Sequence, residues 1–235
     1  MTRVTLSGPE LEGMTVNEPA ASVRLLLPSA GESDLVMPAW NGNEFLRADG
    51  GRPAIRTFTP RRVDAANLEL DLEIVVHDAG VASKWAAAAE PGRRAALSGP
   101  GRGYTINRDA PAFLLGGDET AIPAISQLLE SLPAEASVHV CIEVATPDAR
   151  LALPEHPQAT VEWCDLPAGS LPGDALVAAV QAADLDPDAR VWVAGEAAAV
   201  QRIRRYLFEA REMPRAQTSV RGYWKHGRAG DADDA

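Results

Sequence analysis

The hydrophobic pattern of this chain changes period once, near Asp109, and that change limits the folds open to it. Before it lie short alternating or β-branched segments, VTLSG, SVRLLLP, IRTFTPRR and LELDLEIVVH, separated by Gly, Pro and Asn clusters. Period-two segments between such breakers are strands, and their spacing fits a small antiparallel barrel. PGRRAALSGPGRGY (91–104) reads as a turn, the last barrel strand and a linker. After the change, the apolar runs AFLLGG, SVHVCIEVA, TVEWCDL and RVWVAGE are joined by TAIPAISQLLESLP, SLPGDALVAAVQAA and AAAVQRIRRYLFEAR, which carry helical period. Alternating strands and helices build a parallel sheet with crossover helices. The expected class is α/β plus β, with a β-barrel domain over residues 1–108 and an α/β domain over 109–228. Residues 229–235 are small, polar and acidic, and are expected to be a disordered tail.

Composition narrows the function classes. The 235 residues are 46% hydrophobic, enough for two small cores. The net charge of -11 argues against a general nucleic-acid binder. No apolar run reaches bilayer-spanning length, and the N-terminus has no signal-peptide core, so a cytoplasmic monomer without a membrane partner is expected. Cys141 and Cys164 sit in apolar surroundings outside any CxxC or Cys/His spacing, so they read as buried free thiols and no metal site is expected.

Three motifs carry chemistry. Arg56, Phe58 and Thr59 in RTFTPRR set a cation, an aromatic face and a hydroxyl along one strand segment. After it, DAGVASKWA (78–86) runs from a small-residue turn into a helix start whose amides can hold a pyrophosphate. These parts suit a flavin dinucleotide site; they equally suit a plain hairpin followed by a surface helix. FLLGGDETAIPAISQLLESLP (113–133) and VWVAGEAAAVQRIRRYLFE (191–209) each join a strand through a Gly-containing turn to a helix, and RGYWKHG (221–227) follows.

Taken in order, RTFT, HDAGVASKWA, GDETAIPAI, VWVAGE and GYWKHG resemble the siderophore-interacting proteins, FAD-dependent ferric-siderophore reductases of the ferredoxin-reductase-like superfamily. The resemblance runs from about Thr5 to Gly227 and implies flavin on the barrel and nicotinamide on the sheet. It implies that Arg56 pairs with the FAD pyrophosphate and Phe58 stacks on the isoalloxazine, with Thr57 and Arg61 nearby. The hydroxyl of Thr59 then stands by flavin N5, where the hydride arrives. His77, Gly80, Ala82 and Ser83 line the flavin side; Gly117, Asp118, Glu119, Thr120, Gly195 and Glu196 form the nicotinamide loops; Trp224 covers the flavin or packs a domain interface. Three departures stand out. Phe58 replaces the family's usual tyrosine, Val81 replaces a proline, and Met1 nearly abuts the VTLSG strand, where the family has about twenty further residues. Either the true start lies upstream or the barrel is open on one side.

The implied reaction passes electrons from NADH or NADPH through FAD to chelated Fe(III). The alternatives are a flavin oxidoreductase with another acceptor, or a flavin- or siderophore-binding protein without turnover. Glu143 and Asp148, following the second sheet strand, favour NADH; Arg150 favours NADPH. An anionic ferric siderophore would need local positive charge in so acidic a protein. Arg215, Arg221, Lys225 and Arg228 supply it, with His226 beside them.

Overall fold

The alternation in VTLS and in ELDLEI becomes an antiparallel pair in the computed structural model, which describes residues 1–28, 32, 34–77 and 80–227. Asp78, Ala79, Arg228 and the 229–235 tail lie outside the described residues. The chain divides into two units, Met1–Gly103 and Tyr104–Gly227.

The first unit contains β1 (Thr2–Ser7), β2 (Val23–Leu27), β3 (Ala39–Trp40), β4 (Phe45–Leu46), β5 (Ala54–Phe58), β6 (Pro60–Asp64), β7 (Glu69–Ile74), α1 (Val81–Ala87) and β8 (Ala96–Ser98). Its main walls are two three-stranded antiparallel sheets, ordered β1-β7-β6 and β5-β2-β8. One apolar cluster fills the space between them, built from Val23, Leu25, Leu27, Leu70, Leu72, Ile74 and Ala86. Two boundaries differ from the sequence expectation. IRTFTPRR is not one strand: the chain leaves one sheet at Phe58 and enters the other at Pro60. LELDLEIVVH stops pairing at Ile74, where the β1 register ends at Thr2, so His77 lies in the loop beyond the strand rather than at its end. Asp71 ties the first sheet together on the face away from the apolar cluster, among Thr5 and Arg62. It accepts hydrogen bonds from Arg62 Nε (2.9 Å) and Thr5 Oγ1 (2.7 Å). Burial pushes its carboxyl pKa up, but these bonds outweigh that and hold it below the usual carboxylate value.

The second unit contains β9 (Ala112–Gly117), α2 (Ile122–Ser131), β10 (Ser137–Val144), β11 (Ala159–Asp165), α3 (Asp174–Ala182), β12 (Arg190–Glu196), α4 (Ala197–Arg205) and β13 (Thr218–Trp224). The five strands are parallel and ordered β11-β10-β9-β12-β13. Leu114, Cys141, Val191 and Val193 point to the face covered by α3 and α4. Strand alternation sends Phe113, Leu115, Val140, Ile142 and Trp192 to the other face, where α2 buries Ile122, Ile125, Leu128 and Leu129. Both faces are therefore covered, as a parallel sheet requires. The fifth strand was absent from the sequence expectation, which left RGYWKHG as a tail.

Candidate functional site

In the first unit, β5 is an edge strand, and its register with β2 places Phe58 opposite Val23 and Arg56 opposite Leu25. Directly paired residues share a sheet face. Arg56 and Phe58 therefore stand together on the core-bearing face, with Thr57 on the other. Phe58 is half-buried against the core, and Arg56 is half-buried with Nη1 donating to the Ile55 carbonyl at 2.7 Å. Thr59, at the passage between the two sheets, is buried. Arg61 is the extra residue of a β-bulge, because Pro60 pairs with Leu72 while Arg62 pairs with Asp71. Such a bulge redirects a side chain away from simple alternation.

A hydroxyl ties the end of the β7 loop to the start of α1. Ser83 Oγ accepts from His77 N and donates to His77 O, both at 2.6 Å, and Ser83 is buried. Its hydroxyl is thus committed to the turn. Gly80 precedes α1 with φ 97°, and a Cβ there would meet His77 Cε1 at 3.2 Å. Only glycine takes this conformation without strain. Ala82 and Trp85 pack against the core. A flavin dinucleotide asks for a cation toward its phosphates, an apolar ring surface, and backbone that can come close. Arg56, Phe58 and the Gly80 turn fit those demands.

In the second unit the strand order reverses between β9 and β12. Open parallel sheets bind ligands beyond the C-terminal strand ends at such a reversal. Gly117 ends β9 there with Asp118 just past it, and Gly195 and Glu196 end β12. Asp118 is buried and accepts four hydrogen bonds. Oδ1 takes Thr120 N (2.9 Å) and Thr120 Oγ1 (2.5 Å); Oδ2 takes Glu196 N (2.9 Å) and Trp224 Nε1 (2.7 Å). Burial raises its pKa, opposed by the Thr120 and Trp224 bonds. Gly195 has φ 155°, and a Cβ there would lie 2.6 Å from Asp118 Oδ2. Glu196 caps α4 by accepting from Ala199 N (2.9 Å) and also accepts from His226 N (3.1 Å). Glu119 accepts from Ala145 N at 2.6 Å, tying the β9 turn to the end of β10.

These acids stitch the crevice together through backbone amides. The arrangement orients Trp224, whose indole N–H is fixed by Asp118 while its ring stays partly exposed. A bulge beside it, where Gly195 pairs with Gly222 and Glu196 with Trp224, leaves Tyr223 as the extra residue.

Three sequence expectations need correction. Glu143 is buried, and its two oxygens accept from Gly173 N (2.6 Å) and Leu176 N (3.0 Å) at the start of α3. It is a helix-capping group whose buried side chain is turned to α3 rather than presented to a ribose. Arg150 is paired with Asp165 at 2.6 Å, and Asp148 lies in an exposed single turn. Arg215 does not join Lys225, because β13 runs between them. Its seven residues rise about 3.3 Å each, so the two cations stand at opposite ends of the strand. The Arg215 guanidinium instead lies over the Phe208 ring, 4.9 Å from its centroid. Arg221 is half-buried on β13, and Lys225 is exposed just past it. Finally, Cys141 does stand beside a histidine: its Sγ is 3.5 Å from His139 Nε2. Cys164 is only half-buried.

Comparison with known proteins agrees with this two-part construction. Residues 1–104 match the model of the siderophore-interacting FAD-binding domain, and residues 110–227 match that of the siderophore-interacting protein. An uncharacterized protein of Mycobacterium tuberculosis is 39% identical over 189 residues, 75% of this chain and 67% of that one. The ferric vibriobactin reductase ViuB of Vibrio cholerae is 28% identical over 237 residues, 99% of this chain and 86% of that one. The crystal structure of a siderophore utilization protein from T. fusca is 34% identical, with a TM-score of 0.84 over 97% of this chain and 88% of that one.

Proposed function

The chain belongs to the siderophore-interacting protein family, and on that premise we propose that it is an FAD-dependent ferric-siderophore reductase. Electrons pass from NADH or NADPH to chelated Fe(III), and Fe(II) is released. The observation that carries the reading is the pairing, in one chain, of an antiparallel FAD-binding unit with a parallel sheet whose strand order reverses at Gly117 and Gly195. FAD supplies what no side chain here offers, the conversion of a two-electron hydride into single electrons.

The chain's own residues bind and orient. Arg56 would hold the pyrophosphate of a bound FAD with a planar fork suited to phosphate oxygens. Phe58 would offer it an apolar ring surface, and Thr59 a hydroxyl. Gly117, Gly195 and Thr120 shape the nicotinamide crevice around the Asp118 anchor. Lys225 and Arg221 offer positive charge to an anionic chelate. Ferrous iron is softer than ferric iron and binds hard siderophore oxygens less well, so reduction loosens the chelate. The protein acts in the cytoplasm as a monomer. Among the described residues, no helix is long and apolar enough to cross a membrane.

The test is the visible spectrum of the purified protein. Oxidised-flavin absorbance should bleach with NADH or NADPH and return when a ferric siderophore is added, with Fe(II) captured by a ferrous-selective chelator. A protein without flavin absorbance, or one whose reduced flavin is reoxidised by quinone but not by any ferric chelate, would refute the reading.

A further inference from the structure

We propose that His139, Cys141 and Glu162 form a binding site for a thiophilic divalent cation, zinc by preference, on the outer margin of the parallel sheet. The inference is independent of the flavin chemistry, and none of the three residues belongs to the crevice at Gly117 and Gly195. His139 and Cys141 are two apart on β10, so strand alternation sets both side chains on one face. The parallel register with β11 places Glu162 directly beside Cys141. Three different donor types, an imidazole, a thiol and a carboxylate, thereby converge.

The spacing of the donors matches a metal polyhedron. Cys141 Sγ lies 3.5 Å from His139 Nε2, and His139 Nε2 lies 3.4 Å from Glu162 Oε2. All three donor atoms fall within 4.8 Å of one another. Tetrahedral zinc, with Zn–S about 2.3 Å and Zn–N or Zn–O about 2.0–2.2 Å, has S···N and N···O edges of about 3.5 and 3.4 Å. Two edges of the tetrahedron are therefore already set. The third would close by a rotation of Glu162, whose side chain is 53% exposed. A water completes the fourth position, as in zinc sites with three protein ligands. The mixed sulfur, nitrogen and oxygen set disfavours calcium and magnesium, which take oxygen.

The thiol sets the terms of binding. Cys141 is buried, and burial pushes its pKa up to about 12, with Cys164 and Glu162 adding to the effect. The metal-free site therefore holds S–H. Binding exchanges that proton for a divalent cation, giving thiolate and carboxylate a countercharge. Because β11 is the edge strand and Glu162 stands on it, the cation would clip this strand to β10.

The experiment uses the untagged full-length flavoprotein, stripped with chelator and titrated with Co²⁺. One equivalent should give tetrahedral d–d bands in the red, clear of flavin absorption, and Zn²⁺ should displace them. Glu162→Gln, an exposed change that spares the core, and His139→Gln should each weaken binding about tenfold or more. Cys141→Ser should abolish the tetrahedral bands, while Cys164→Ser keeps them. The proposal is overturned if no stoichiometric Co²⁺ or Zn²⁺ binding appears, if the bands survive Cys141→Ser, or if Glu162→Gln leaves the affinity unchanged.

Discussion

Asp118 offers the sharpest test of how the second unit holds its crevice. Its two oxygens serve four donors: Thr120 N, Thr120 Oγ1, Glu196 N and Trp224 Nε1. Asp118→Ala removes every acceptor. The Thr120 hydroxyl and the partly exposed Trp224 indole can turn to water, but the amides of Thr120 and Glu196 cannot do so easily. Each buried orphan costs about 1–3 kcal/mol. Relief of the buried charge offsets part of this, so the expected loss is about 2–4 kcal/mol. Asp118→Asn keeps shape and one oxygen. With that oxygen toward Glu196 N and Trp224, its amide can donate to the Thr120 hydroxyl, and only Thr120 N is orphaned. The expected loss is then about 1–3 kcal/mol, the smaller of the two. Urea unfolding of the FAD-saturated protein, followed by circular dichroism, measures both; each kcal/mol should also lower Tm by about 2–4 °C. The pH dependence has a definite sign. Burial raises the Asp118 pKa, so between the ordinary and the raised value the folded state keeps a proton that the unfolded chain has lost. Stability therefore falls as pH rises from the ordinary carboxylate value through the raised one, and Asp118→Asn should remove that slope. An alanine variant within about 0.5 kcal/mol of the parent, or an asparagine variant worse than alanine, would refute the reasoning.

Three further outcomes are expected. Phe58→Ala should weaken FAD binding by about 1–3 kcal/mol in a fluorescence titration; unchanged affinity in both Phe58→Ala and Arg56→Ala would move the flavin elsewhere. Glu143→Gln replaces a carboxylate oxygen with an N–H donor facing an amide of α3, and should cost about 1–3 kcal/mol in urea unfolding. Because both oxygens cap α3, the variant's preference between NADH and NADPH should stay the same, and a shift of about tenfold would return Glu143 to a ribose. Lys225→Glu should raise KM for an anionic ferric chelate while leaving flavin reduction by the nicotinamide nearly unchanged, with the loss shrinking as salt screens charges over about 10 Å at 0.1 M; an equal effect on a neutral hydroxamate chelate would exclude a selective cation.

The sequence was most readable where one period governs many residues. Alternation in ELDLEI and the strand–helix rhythm after Asp109 fixed both units, because each demands burial of a particular face. The ends of those elements were less readable, because pairing partners set them. The strand before His77 ends at Ile74, opposite Thr2 of β1, and nothing in LEIVVH records that. Arg61 is turned by a bulge visible only in the register with β7. Glu143 shows how position can mislead. An acid at the end of the second strand is the expected ribose ligand, but here the start of α3 comes close enough for Gly173 and Leu176 to take both its oxygens.

The basic group in the last thirty residues failed for a related reason. Closeness in sequence means closeness in space only in a helix or a turn, and β13 spreads Arg215 and Lys225 to opposite ends of the sheet. The same rule works in reverse for His139 and Cys141. A search for ligand spacings shaped by knuckles and helices passes over HxC, because two-residue spacing has meaning only in a strand. The third donor, Glu162, is twenty-one residues past Cys141 and becomes its neighbour only through the β10–β11 register. A sheet therefore conceals a donor cluster from the sequence while setting two of its edges within a few tenths of an ångström of a tetrahedron.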